Sequence, residues 1–146
     1  MSDLLLMQRA LALAAPMIGR TGDNPAVGCV LALGDAVFGE GVTAEGGRPH
    51  AEERAIAASG GAAQGLTAYV TLEPCAKRSA GGVACADRLI EAGVARVVIA
   101  TRDPHPNAAG AGIERLRAAG IAVEIGVLED EARAQNAAFF ARWDRA

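Results

Sequence analysis

The sequence predicts an α/β protein, a three-layer α/β/α sandwich around a mixed five-stranded sheet. Short apolar runs typical of strands alternate with segments of helical periodicity through the second half of the chain. A strand, a helical crossover and another strand give parallel pairing, whereas two apolar runs about residue 34 predict an antiparallel hairpin. The 146 residues suit one compact core, so we expect a single domain over residues 1–146.

The elements follow in order from periodicity and turn residues. Apolar side chains at positions 4, 7, 11 and 14 predict a first helix after the capping candidates Ser2 and Asp3. Gly34-Asp35 joins two strands at Val27–Leu33 and Ala36–Val42. The later elements are a helix at His50–Ser59, a strand at Ala68–Leu72, a helix at Val83–Ala92, a strand at Val94–Ala100, a helix at Gly112–Ala119, a strand at Ile121–Val127 and a last helix at Glu129–Arg142.

Composition argues against several classes of partner. A net charge of −3 and an aromatic content of 3% suit neither phosphate binding nor base stacking, so we expect no nucleic-acid partner. No run reaches the roughly 18 uninterrupted apolar residues of a membrane span. Three cysteines without an export signal favour a reducing compartment, and we expect a cytoplasmic protein with no membrane partner.

Metal-binding residue types occur where helices begin and strands end. His50 starts a predicted helix, Cys75 follows a strand and Cys85 lies at the start of the next helix. In parallel α/β sheets these positions share one edge, where the helix N-termini favour thiolates. One imidazole and two thiolates leave the fourth position of tetrahedral Zn²⁺ open for water, which is the arrangement of a catalytic site. The sequence therefore predicts zinc held by these three residues.

The same residues match the pattern of zinc deaminases, H-x-E followed by P-C and a second cysteine. Glu52 lies two residues after His50, and we expect it to take the water's proton and deliver it to a ring nitrogen and the leaving ammonia. The nine residues AKRSAGGVA separate Cys75 from Cys85, where the general pattern has two. Cys29 lies in the apolar strand VGCVLAL and is expected to be a buried core residue.

Longer stretches carry a closer resemblance. DNPAVGCV, RPHAEERAI, YVTLEPC, CADRLIEAGVARVVIATRDPHP and GIERLRAAGIAVEIGVLEDEARAQN resemble the deaminase domain of the riboflavin-biosynthesis deaminase/reductase family. The resemblance implies the cytidine-deaminase-like fold and hydrolysis of the amino group of a diaminopyrimidinone ribosylamino 5′-phosphate. It implies the same zinc ligands and proton carrier, with substrate contacts at Asn24 and Asp103. An Asn before Pro is also ordinary turn chemistry, so both interpretations of Asn24 stay open.

Three features depart from that family. The segment between the cysteines is one residue longer than the usual form and lacks its His and paired prolines, which indicates a remodelled substrate loop. DPHP replaces DPNP, so His105 stands where an Asn approaches the ribose phosphate, with an ordinary loop histidine as the alternative. The sequence ends where the family continues into a reductase, and we expect the reductase to be a separate chain.

Charged residues outside the metal motif have two interpretations each. Lys77 and Arg78 lie in the altered loop, where they either neutralise a substrate phosphate or remain solvated. Glu73 is expected to have a structural role at a strand end. Arg133 and Arg142 are expected on the solvated face of the last helix.

Three functions fit these observations. The first is the riboflavin-pathway deamination of a small pyrimidine-like, phosphorylated substrate. The second is deamination of another base or nucleoside, such as cytosine, cytidine or guanine, which the remodelled loop favours. The third is a zinc-binding module without catalysis, against which the intact Glu52 argues. A homodimer or larger homo-oligomer is expected by resemblance.

Overall fold

A five-stranded mixed sheet organises the chain. The structure, a computed structural model, describes residues 2–76, 83–105 and 108–142. The strands are β1 (Gly28–Leu33), β2 (Ala36–Val42), β3 (Thr67–Val70), β4 (Arg96–Ile99) and β5 (Ala122–Ile125), in the spatial order β2-β1-β3-β4-β5. β1 is antiparallel to β2 and β3, whereas β3, β4 and β5 run parallel. The predicted hairpin and mixed sheet are confirmed.

Helices cover both faces of this sheet. They are α1 (Ser2–Ala14), α2 (Ala51–Ala58), α3 (Cys85–Ala92), α4 (Ala111–Ala118), α5 (Glu129–Gln135) and α6 (Ala137–Ala141). Because successive strand residues face opposite sides, Val97 and Ile99 pack with α2, α3 and α4, while Val98 packs with α1 and α5. The three-layer arrangement is confirmed. Within the described ranges no helix is both long and apolar enough to span a bilayer.

An ion-paired carboxylate ties α1 to the sheet. Asp3, predicted as a capping residue, accepts hydrogen bonds from the Tyr69 hydroxyl (2.7 Å) and from Arg96 Nη2 (2.6 Å). The hydrogen bonds from Arg96 lower the pKa of the Asp3 carboxyl to about 2. Asp3 therefore links α1 to both β3 and β4.

The prediction of one last helix at Glu129–Arg142 is wrong. The segment forms α5 and α6, separated at Asn136, whose backbone (φ −113°, ψ 40°) leaves the helical region. The Asn136 side chain bonds to both backbone polar groups of Ala26, 110 residues away in the chain. This tertiary contact outweighs the continuity of the helix, which periodicity alone cannot reveal.

Several predicted elements are shorter in the structure. β3 ends at Val70 rather than Leu72, and α3 begins at Cys85 rather than Val83. Of the connection between them, the structure describes residues 71–76 and 83–84. Cys75 lies within this connection, and Cys85 begins α3 directly after it.

Candidate metal and substrate site

Three metal donors meet at the end of β3. His50 is the N-cap of α2, Cys75 lies in the connection after β3 and Cys85 is the first residue of α3. Their donor atoms all lie within 4.8 Å of one another, and His50 Nδ1 is 3.2 Å from Cys85 Sγ. An imidazole nitrogen and two sulfurs are ligands that zinc prefers, and the spacing fits one ion. The structure therefore brings together the three residues predicted from the sequence.

Hydrogen bonds and burial shift the pKa values of the two thiols in opposite directions. The Cys85 backbone N–H donates to Cys75 Sγ at 3.3 Å. Hydrogen bonds from Cys85 and the proximity of His50 lower the pKa of the Cys75 thiol to about 4, against the opposing effect of burial. The pKa of Cys85 is raised in turn, because its thiol bonds to Cys75 and is buried. The hydrogen bond from the start of α3 therefore favours the thiolate form of Cys75.

Glu53 connects the two helices that carry the ligands. Its Oε2 accepts a hydrogen bond from the His50 backbone N–H at 2.7 Å. Its Oε1 lies 2.9 Å from Nη2 of Arg88 on α3. This bridge holds His50 in place relative to α3, in the manner of the outer groups that orient metal ligands.

Glu52 is a buried carboxyl beside the donors. It lies in the first turn of α2 with 4% of its surface exposed, and it is not one of the three donors. Burial, together with the charge of Cys75, raises the pKa of Glu52 to about 7. A carboxyl group with a pKa near neutrality can both accept and donate a proton.

A cavity of about 420 Å³ opens over these groups. The residues of the metal site that line it are His50, Glu52 and Cys75, and the predicted substrate residues Asn24, Asp103 and His105 line it as well. Lys77 and Arg78 lie outside the described residues. The cavity therefore joins the metal donors to three of the five predicted substrate contacts.

The side-chain amide of Asn24 is held in place by a hydrogen bond from its nitrogen. Its Nδ2 donates to the Gly47 carbonyl at 3.0 Å, which leaves Oδ1 as an acceptor for a ligand. Gly47 has φ 102°, and a Cβ there would lie 2.5 Å from Asn24 Nδ2. Thr21 Oγ1 donates to the Asn24 carbonyl at 2.6 Å, so Asn24 belongs to a turn and lines the cavity at once.

The buried carboxylate of Glu73 organises the other side of the cavity. Its two oxygens accept four backbone hydrogen bonds of 2.9–3.2 Å, from the N–H groups of Asp103, Gly110, Gly112 and Ile113. A Cβ on Gly112 would lie 1.9 Å from the Pro74 carbonyl oxygen, so α4 approaches the Glu73-Pro74 segment very closely. Glu73 thus has the structural role expected of it.

Asp103 and His105 lie on the loop that Glu73 holds. Asp103 Oδ1 accepts a hydrogen bond from the His105 backbone N–H at 2.8 Å. Burial raises the pKa of the Asp103 carboxyl. Both side chains line the cavity, where they can meet a polar part of a ligand.

Arg48 and Phe139 are among the cavity residues that sequence reasoning missed. Arg48 lies two positions before His50, inside the stretch RPHAEERAI, and lines the cavity with its surface largely exposed. Phe139 on α6 also lines it, more than 80 residues from the nearest predicted catalytic residue in sequence. The basic charge next to the metal motif could have revealed Arg48, whereas no local pattern marks Phe139.

Cys29 belongs to the core. It is fully buried on β1 among the residues that pack with α2 and α3, and burial raises the pKa of its thiol. It is not one of the three metal donors. The prediction that Cys29 is a buried core residue is confirmed.

Comparisons with known proteins identify the family of this chain. Residues 1–101 match the model of the cytidine and deoxycytidylate deaminase zinc-binding region. The riboflavin biosynthesis protein RibD of Haemophilus influenzae is 47% identical over 140 residues, which are 96% of this chain and 37% of that protein. The chain thus spans little more than a third of the length of this relative.

Two further similar proteins are also named as deaminases. The diaminohydroxyphosphoribosylamino-pyrimidine deaminase of Buchnera aphidicola (subsp. Acyrthosiphon pisum) is 42% identical over 97% of this chain and 96% of its own. The crystal structure of a diaminohydroxyphosphoribosylaminopyrimidine deaminase/5-amino-6-(5-phosphoribosylamino)uracil reductase from Thermotoga maritima superposes with a TM-score of 0.90 at 39% identity, covering 97% of this chain and 41% of that one. Because the family model spans most of the sequence and the Buchnera match is nearly full-length on both sides, the chain belongs to the cytidine and deoxycytidylate deaminase family, whose metal is zinc.

Proposed function

We propose that this chain hydrolyses the ring amino group of the diaminohydroxyphosphoribosylaminopyrimidine of riboflavin biosynthesis. The match along almost the whole length of the Buchnera deaminase carries the proposal, since that protein is named for this substrate. The gathered donors, the buried Glu52 and the adjoining cavity support it. The expected homo-oligomer and the separate reductase chain stay predictions.

His50, Cys75 and Cys85 would hold the zinc ion. When bound, zinc lowers the pKa of a coordinated water to about 7 and so supplies a nucleophile at neutral pH. The pKa of Cys75, lowered to about 4, gives the site a thiolate under the same conditions. The bridge from Glu53 to Arg88 keeps the histidine and cysteine donors aligned.

Glu52 would move the protons of the reaction. It accepts a proton from the attacking water as the oxygen bonds to the ring carbon that bears the amine, and it passes that proton to the ring nitrogen. It then takes the proton of the new hydroxyl group and delivers it to the departing amine. The carbon–nitrogen bond then breaks, ammonia leaves and the ring keeps the oxygen. Burial raises the pKa of Glu52 to about 7, which suits both the uptake and the release of a proton.

The remaining cavity residues would position the substrate. Asn24 Oδ1 can accept an N–H of the ring edge, because Nδ2 is committed to Gly47. Asp103 and His105 face the same cavity and are proposed to contact the ribose phosphate end. Arg48 is the one Lys or Arg among the described lining residues, which makes it a further candidate for the phosphate beside Lys77 and Arg78.

A substrate panel tests the proposed activity. Zinc-loaded protein is expected to release ammonia from the phosphorylated diaminopyrimidine with a higher kcat/KM than from cytosine, cytidine, guanine or adenine. The measurement is initial-rate ammonia release for each compound. A clear preference for one of the unphosphorylated bases or nucleosides would contradict the riboflavin assignment and favour the second function considered from the sequence.

Glu52→Gln tests the proton carrier. The amide keeps the size of the side chain but cannot accept the water's proton, so kcat should fall about 10²- to 10⁴-fold while zinc content stays at the wild-type level. Steady-state kinetics and metal analysis on the same preparation check both parts. Glu91→Gln, an exposed change on α3, is the matched control and should leave both values unchanged. Near wild-type turnover in Glu52→Gln would assign proton transfer to another group.

Arg48→Ala tests the phosphate end of the cavity. Loss of a charge-assisted contact should lower kcat/KM for the phosphorylated substrate about 10-fold and change it little for the dephosphorylated analogue. The same pair of rates is measured for a Lys77→Ala/Arg78→Ala double variant. Arg54→Ala removes an equal charge outside the cavity lining and serves as the control. Equal losses on both substrates would exclude a phosphate contact for the residue changed.

A further inference from the structure

The last helix, α6, reaches the cavity although it lies outside the region that the family model matches. The family model ends at residue 101, whereas α5 and α6 occupy residues 129–141. Phe139 on α6 is the only phenyl ring among the described residues that line the cavity. The substrate site therefore has a wall that the zinc-binding region does not supply.

A two-way amide contact ties this segment to the loop that carries Asn24. Asn136 Oδ1 accepts the Ala26 N–H at 2.9 Å, and Asn136 Nδ2 donates to the Ala26 carbonyl at 2.8 Å. Ala26 is buried, while its neighbours Pro25 and Val27 line the cavity. Residues 24, 25 and 27 line the cavity and Ala26 does not. Asn136 therefore holds this segment through Ala26, on the side that faces away from the cavity lining.

Residues 135–142 make further contacts with one another and with earlier parts of the chain. Phe140 is 3% exposed and packs edge-to-face on Phe139, with the ring centroids 5.8 Å apart. Arg142 is exposed, as expected, and its Nη1 donates to the Asp23 carbonyl at 3.0 Å, while its guanidinium lies 5.8 Å from the Phe139 ring. Gln135 Nε2 donates to the Leu11 carbonyl on α1 at 2.8 Å.

From these contacts we infer that residues 136–139 complete the substrate site, with Asn136 as a positioning residue for the Asn24 loop and Phe139 as an apolar wall against the substrate ring. The part played by Phe139 rests on the proposed function, because it requires a planar heterocycle in the cavity. The part played by Asn136 rests on its two bonds to Ala26 alone. An aromatic face suits a planar ring, which packs against it by offset stacking.

Hydrogen exchange tests the positioning role without any substrate. Asn136→Leu keeps the approximate volume and removes both bonds, so the Ala26 amide loses its acceptor and should exchange at least about 10-fold faster. Gln135→Ala removes a hydrogen bond of the neighbouring side chain and should leave the Ala26 amide as in the wild type. Unchanged Ala26 exchange in Asn136→Leu, or equal acceleration in Gln135→Ala, would overturn the inference for Asn136.

Kinetics test the wall, using the substrate that the wild-type protein deaminates best in the panel. Phe139→Ala should raise KM about 10-fold with kcat within a few-fold, and Phe139→Tyr, which keeps the ring, should restore the wild-type KM. Asn136→Leu should also raise KM, whereas Gln135→Ala should not, even if both lower the unfolding temperature. A wild-type KM in Phe139→Ala would overturn the wall. If the wild type turns over no compound of the panel, the proposed function and the wall fail together, and the exchange result still decides the role of Asn136.

Discussion

Three separate segments of the chain must each bring one metal donor to the same point. The end of β3 and the N-termini of α2 and α3 meet there. The first N–H groups of a helix have no acceptor within the helix, and one such group at each of these two ends donates to a side chain. The Cys85 N–H donates to Cys75, and the His50 N–H donates to Glu53. The donors therefore stand in place through backbone and carboxylate contacts that do not involve the ion itself.

The substrate half of the site depends on a second constraint, the burial of Glu73. A carboxylate taken out of water is costly unless hydrogen bonds replace its hydration, and four backbone N–H groups do so here. Those donors belong to the loop of Asp103 and to the first turn of α4. One side chain after β3 consequently fixes the loop that faces the metal donors across the cavity.

Patterns of neighbouring residues predicted those parts of the molecule that depend on secondary structure and on strand order. The hairpin, the sheet class and the grouping of His50, Cys75 and Cys85 follow from periodicity and from the shared edge of parallel strands. The break at Asn136 depends on hydrogen bonds with Ala26, 110 positions earlier, which no local pattern contains. The loop with Lys77 and Arg78 lies outside the described residues, so the phosphate contact assigned to them stays a prediction.

Zinc K-edge X-ray absorption on the metal-loaded protein tests the assigned ligand set most directly. The account predicts two sulfur atoms at about 2.3 Å and two lighter nitrogen or oxygen atoms at about 2.0–2.1 Å, one from His50 and one from solvent. Cys85→Ser should reduce the sulfur number to one, and Cys29→Ala should leave it at two. A shell of three or four sulfurs, a shell without sulfur, or a loss of sulfur in Cys29→Ala would contradict it.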